Sequence, residues 1–307
     1  MEVIKNRSEF LFIYDVKDAN PNGDPLDENK PRLDEETGQV IVTDVRLKRT
    51  VRDYLATVKE LEVFIIEARD KNGNLRTKED RSADFGDDPN KILEKCIDMR
   101  LFGATTAIKG KTVTWTGPVQ FKFGRSLHRI DGPVLIKGTT VMPSKEGKKQ
   151  GTFREEWIVP YALIAFHGIA NEYAAKNTLL TEEDLKLMME AMWKGTKDLI
   201  TRSKFGQMPR LLLRLVYKEG TDFYIGELDK LVKWYPKDEL RDEKVRDITE
   251  GVLQVKDLLE AIRKYKDKIE RIEIVLHERL KTEPVFLEGI REALGQENQK
   301  NIVEMWL

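Results

Sequence analysis

Residues 10–55 read FLFIYDVKDANPNGDPLDENKPRLDEETGQVIVTDVRLKRTVRDYL. Phe10 to Val16 form a short aromatic and β-branched run, with the length and composition of a strand. It stops at DANPNGDP, where Asn20-Pro21 and Asn22-Gly23 are turn dipeptides and Pro25 blocks a helix. Gln39 to Val42 form a second apolar run, and Thr43 stands where an N-cap would open a helix near Asp44. In that helix Leu47, Val51, Tyr54, Leu55 and Val58 share about a third of the circumference. Arg46, Lys48, Arg49 and Arg52 occupy most of the remainder. Asp53 is the only acid between Arg46 and Lys59, so intrahelical ion pairs account for few of these bases. A phosphate-binding face therefore competes with an ordinary solvated one.

The rest of the composition limits the function classes. With 307 residues, 40% hydrophobic and 35% charged, the chain suits a soluble globular protein of one large domain with insertions or two smaller ones. No run of about twenty apolar residues occurs, and MEVIKNRSEF lacks a signal peptide's apolar segment, so no membrane partner and a cytoplasmic location are expected. A single cysteine, Cys96, excludes an internal disulfide, and His128, His167 and His277 lack zinc-ligand spacing. The net charge of −1 argues against a uniformly basic nucleic-acid binder, but the charge is uneven. From Arg100 to Arg154 there are eleven Lys and Arg against two acids, whereas from Lys218 onward seventeen bases meet twenty-one acids. A basic working surface with a neutralising remainder fits that distribution.

Downstream, Glu62 to Ile66 reads as a strand, Asn72-Gly73 as a hairpin turn, 81–90 as an exposed loop and Lys91 to Arg100 as a helix. Val119 to Phe123 alternates, which would turn Val119, Phe121 and Phe123 to one face. Lys109, Lys111, Arg125 and Arg129 lie at or beyond strand ends, where loops carry function. PSKEGKKQG (143–151) is a polar tip between extended arms at 139–142 and 152–157. After the extended stretch Trp157 to Phe166, with Pro160 at a bend or edge, Thr181-Glu182-Glu183-Asp184 opens a helix whose Leu185, Met188, Met189 and Met192 form a core stripe. TRSKFGQMPR (201–210) carries three bases and no acid, and Arg210 to Tyr217 reads as a strand. The order strand, helix, strand, strand, helix, strand is that of a ferredoxin-like α+β fold. The RNA-recognition signature with paired aromatics is not present in VQFKFGRSL. A helix over Val252 to Ile269, a strand over Ile272 to Leu276 and a helix over Val285 to Leu294 complete the reading.

Catalytic and metal motifs are weak. Asp18-x-Asn20-x-Asn22-Gly23 copies half of an EF-hand loop, but Asn29 stands where a bidentate Glu is needed and a strand precedes it. Asp15, Asp18, Asp24 and Asp27 could form a carboxylate cluster, though acids in turns are commoner than metal sites. Neither a nucleophile elbow nor a phosphate-cradling glycine loop is present. No catalytic residue, metal or cofactor is expected.

DVKDANPNGDP, VTDVRLKRTVR, RLFGAT, TGPVQFKFGRSLHRI, TEEDL and TRSKFGQMPRLLLR, in this order, closely resemble the crRNA-binding backbone subunits of type I CRISPR effector (Cascade) complexes. The likeness is greatest to the I-B and I-C branch and spans about Arg7 to Tyr217. It implies an RRM-like palm (1–59, 101–137 and 156–217), a fingers insertion (60–100), a thumb β-hairpin (138–155) and a C-terminal α/β extension (218–307) packed on the palm. It further implies a non-catalytic subunit for antiviral defence. Copies would polymerise head to tail along one crRNA, beside other Cascade subunits, and leave the spacer free to pair with target DNA. The RNA contacts so implied are Arg46, Lys48, Arg49, Arg52, Lys109, Lys111, Arg125, His128, Arg129, Lys145, Lys148, Lys149, Arg202, Lys204, Gln207 and Arg210. Met142 and Phe153 would act as the thumb's wedge. The alternative is a metal-dependent ribonuclease cutting target RNA, as in type III relatives, with Asp15 or Asp18 as the loop aspartate.

Overall fold

Twelve residues, Ser8–Ala19, form the central strand β1. The computed structural model describes residues 2–108, 110–139, 153–305 and 307. In chain order β1 is followed by β2 (Gln39–Val42), helix α1 (Asp44–Thr57), β3 (Gly124–Ser126), β4 (Phe153–Ala170), helix α2 (Glu182–Lys197), β5 (Gln207–Tyr217) and β6 (Ile269–Leu276). β1 pairs antiparallel with β4 on one side, placing Phe12 opposite Phe166, and with β5 on the other, placing Phe12 opposite Leu212. β3 bridges β4 to β2, and β6 extends the sheet beyond β5. Leu33–Asp34 closes the β2 edge and Ile302–Glu304 runs parallel to β6, giving a mixed ten-stranded sheet in which Val119–Phe121 and Val134–Thr139 also pair with β4. The fold is α+β.

The near-continuous apolar run of β1 is explained by burial on both faces. Phe10, Phe12, Tyr14 and Val16 pack under Leu47, Val51 and Leu55 of α1 and Leu185, Met188 and Met192 of α2. The Met stripe of α2 is core, and its N-terminus carries the capping box of Thr181 and Asp184. Leu11 and Ile13 face the opposite way, where with Leu213 and Leu215 they meet Leu258, Ile262, Phe286 and Ile290 from the helices Lys256–Tyr265 and Phe286–Leu294. Each large apolar side chain so enclosed contributes roughly 1.5–3 kcal/mol. Arg214 is wholly buried within the sheet, where Glu182, Glu273 and Ser8 take its donors.

A third, smaller core lies apart from the sheet. Phe64, Ile92, Leu93, Cys96, Met99 and Ile108 form it, with Val113 and Trp115 packed against it. The last two belong to the hairpin of Gly103–Ile108 and Lys111–Thr116. Asp98, fully buried, ties this unit to the sheet layer: its carboxylate accepts from the Phe64 and Ile65 N–H groups and from Arg52 of α1.

Several local expectations change. Glu62 to Ile66 is irregular rather than a strand, because the Asp98 side chain takes the N–H groups a ladder would use. Residues 78–84 are helical, started by a Thr77–Asp80 capping box within the stretch read as a turn and loop. The helix expected over 91–100 is two, Pro89–Lys95 and Ile97–Phe102, broken at the extended Cys96. The helix expected from Val252 begins at Lys256, since Gly251–Gln254 pairs with Lys233–Pro236. Pro160 lies inside β4, and the β1 ladder skips it where Asp18 adopts φ 49°.

Candidate nucleic-acid interface

The turn after β1 is the junction of the site. The Asn20 N–H donates to the Ser203 carbonyl at 2.7 Å, and the Lys17 N–H donates to Gly206 at 2.9 Å. A side chain at Gly206 (φ 105°) would strike the Lys17 carbonyl, so glycine is required there. Asn22 Oδ1 accepts from both the N–H and the hydroxyl of Thr43, at 2.8 and 2.9 Å, and Thr43 caps α1 through the Arg46 N–H. The Asn-Pro-Asn-Gly turn, the first turn of α1 and the 201–206 loop are thereby locked together.

The four bases of α1 have four different environments. Lys48 pairs with Asp44 at 2.9 Å and Arg49 with Asp53 at 2.7 Å. Arg52 pairs with buried Asp98 at 2.9 Å, so it holds the small core onto α1. Arg46 is half-buried, has no carboxylate partner among the described residues, and donates to the Thr50 hydroxyl at 2.8 Å. Burial pushes its guanidinium below the usual arginine range. Lys204 is half-buried too and donates to the Asn20 carbonyl at 2.6 Å. Burial, with the Arg46 charge nearby, pushes its amine down to about 8. Two cations without a carboxylate in salt-bridge range among the described residues thus stand beside the turn, an arrangement whose cost an anion would relieve.

The other expected contacts divide by exposure. Arg125, Arg129 and Arg202 are exposed but ion-paired, with Asp34 at 2.7 Å, Glu243 at 3.1 Å and Glu156 at 2.8 Å. Lys111 is exposed on the small hairpin. His128, Gln207 and Arg210 are corrections, since their side chains are buried. The His128 ring stacks on Tyr161 and its Nε2 accepts from the Leu163 N–H, and burial lowers its proton affinity. Gln207 donates to the Lys204 carbonyl, supporting that loop. Arg210 pairs with buried Asp15 at 2.8 Å, and the Tyr161 hydroxyl donates to the same carboxylate at 3.1 Å. Asp15 is therefore committed to the core, and Asp24 to Arg32 at 2.5 Å. Among the described residues no group of three or more His, Cys, Asp or Glu gathers as metal ligands would. Lys109, Met142, Lys145, Lys148, Lys149, the 143–151 tip and the Phe153 side chain lie outside what is described.

Three residues were missed by the sequence reading. Arg32 and Lys30 come from the Asp-rich loop, and Lys30 lies 5.4 Å from the centre of the Trp157 ring. Phe123, expected on one face with Val119 and Phe121, is 54% exposed whereas those two are buried. The strand ends at Phe121, and Gly124 sits so close to the Phe166 ring that a side chain there would overlap it. Between the strand's end and that contact Phe123 faces solvent; the Phe-Gly pair was the available signal. Phe123 divides two open hollows, one of about 630 Å³ bearing Arg46, Arg49 and Arg52, the other of about 470 Å³ bearing Lys30 and Arg125. Arg32 borders both. Phe205, 70% exposed, stands on the loop next to Lys204.

Comparisons with known proteins agree with one another. A family model described as CRISPR-associated protein Cas7 matches residues 6–256. A Haloferax volcanii protein described as "CRISPR-associated protein Cas7" is 32% identical over 283 residues, covering 81% of this chain and 81% of that one. Among solved structures, a chain of a "CRISPR RNA-guided surveillance complex, pre-nicking" superposes with a TM-score of 0.52 at 13% identity, covering 90% of this chain and 95% of that chain. A chain of a "CRISPR RNA-guided surveillance complex" gives 0.53 at 14% identity, with 98% and 95% covered. At those identities the likeness is one of fold. No described helix is long and apolar enough to cross a membrane.

Proposed function

The chain belongs to the CRISPR-associated protein Cas7 family, and from that premise we propose that it is a non-catalytic crRNA-binding subunit of a Cascade surveillance complex. Copies assemble head to tail along the spacer and present it for pairing with target DNA, beside other Cascade subunits, in the cytoplasm. A heterologous contact that does not close produces such an open helical filament. The motifs DVKDANPNGDP and VTDVRLKRTVR favour the I-B and I-C branch. The strand order β5, β1, β4, β3, with α1 and α2 on one face, supports naming the sheet an RRM-like palm (1–59, 101–137 and 156–217). The 60–100 segment is then the fingers, with the Gly103–Thr116 hairpin packed on it, and 138–155 the thumb. Residues 218–307 are the extension that covers the palm's other face.

The observation that carries this reading is the pair Arg46 and Lys204, half-buried, short of carboxylates and held together by the Asn-rich turn. Such a pair fits a backbone phosphate, and spacer sequences vary, so contacts to phosphate and sugar serve every guide. Asp15, held by Arg210 and Tyr161, leaves the ribonuclease reading without that residue as a metal ligand. The test is purification followed by the absorbance ratio at 260 and 280 nm and sequencing of bound nucleic acid. Repeat–spacer RNA in large particles that high salt disperses is expected. A monomer that ignores RNA at low salt would return the basic groups to ordinary surface.

A further inference from the structure

Phe123 has an unusual position for a large apolar side chain. It lies between two hollows whose walls carry guanidinium groups, and more than half of it faces solvent. Among the described residues no cation and no aromatic ring lies over its face. The next residue, Gly124, lies flush against the Phe166 ring, which in turn stacks on Tyr14. The larger hollow, about 630 Å³, falls in the size range of small-molecule sites and is lined by Arg46, which has no salt bridge among the described residues.

We propose that Phe123 is a base-stacking platform: one unpaired nucleotide of single-stranded RNA sits in this hollow, its base on the Phe123 ring and its phosphate on Arg46. The proposal rests on the RNA-binding reading and deepens it, by assigning one nucleotide to a fixed seat in the palm. Stacking on an aromatic face is tolerant of base identity, since every base offers a π-face. The flanking cations then set the distance between base and phosphate. An apolar residue of a second copy could also cover Phe123, but the ring's surroundings favour an anion-bearing occupant. Four arginines, Arg32, Arg46, Arg49 and Arg52, line that hollow against two acids, Asp44 and Glu67, and of the four Arg46 has no salt bridge among the described residues.

The test uses full-length protein and fluorescent single-stranded oligoadenylate RNA, with an abasic oligonucleotide of equal length as the second probe. Phe123→Leu keeps an apolar side chain and removes the ring; urea unfolding verifies that it folds. Affinity for oligoadenylate is expected to fall roughly 5- to 100-fold with an unchanged salt slope, since no ionic contact is lost. On the abasic probe parent and variant should bind alike. Equal binding of oligoadenylate by both proteins overturns the stacking role; if Arg46→Gln still weakens binding, the RNA reading survives it. Should neither variant weaken binding, both readings fail together. Loss of self-association with RNA affinity intact would also overturn the proposal and make Phe123 a contact between copies.

Discussion

The four bases of α1 should separate cleanly on substitution by glutamine, because their partners differ. Arg46 has no carboxylate partner among the described residues, so Arg46→Gln should remove one phosphate contact and flatten the log–log salt dependence of RNA binding by about 0.7. Raising salt threefold would then weaken the variant about twofold less than the parent. Stability should change little, since the lost bond is to one hydroxyl. Arg52→Gln should behave oppositely. It strips the charge partner from Asp98, a carboxylate with no solvent exposure. Breaking such a pair costs about 3 kcal/mol, softened by the two N–H donors Asp98 keeps. Lys48→Gln and Arg49→Gln should fall between, since each already shares its charge with an acid one turn away. The assay is fluorescence anisotropy with single-stranded RNA over a salt series, paired with urea unfolding. Equal slope changes at all four positions, or a destabilised Arg46→Gln beside a stable Arg52→Gln, would refute the reasoning.

Other outcomes follow from the same geometry. Gly124→Ala places a methyl group into the Phe166 ring and should lower stability by about 1–3 kcal/mol in urea unfolding. Arg210→Leu leaves buried Asp15 without its charge partner; about 3 kcal/mol of stability should go while the salt slope of RNA binding stays put. Lys204 gives a pH signature. Its amine is depressed to about 8 by burial and by Arg46, below the usual value of 10.5. Its charge therefore opposes folding fully below about pH 8, and that penalty fades as pH rises towards 10.5. A bound phosphate acts the other way by raising the pKa, so RNA affinity should decline as pH climbs through 8. Lys204→Met should remove that decline, as measured by anisotropy at constant salt.

Much of the sheet layer was legible because its signals are local. The apolar run of β1, the Thr43 and Thr181 caps, and the Met stripe each depend on neighbours within a few residues. The small core was harder: the Phe64 and Ile65 backbone is claimed by Asp98, more than thirty positions away, and no period in EVFII announces that. Charge was the least legible property. Counting acids within α1 left Arg52 apparently free, whereas its partner arrives from another helix. Arg210 and His128, RNA contacts by the family resemblance, are buried against Asp15 and Tyr161, partners distant in sequence. Phe123 obeyed strict alternation until Gly124 met Phe166, a contact only the folded sheet creates.

The central claim is assembly of many copies on one RNA, and sedimentation velocity on a series of single-stranded RNAs of increasing length tests it most directly. The account predicts particles that gain copies in regular steps as the RNA lengthens and that dissociate in high salt. One copy per RNA at every length, or none at low salt, would contradict it.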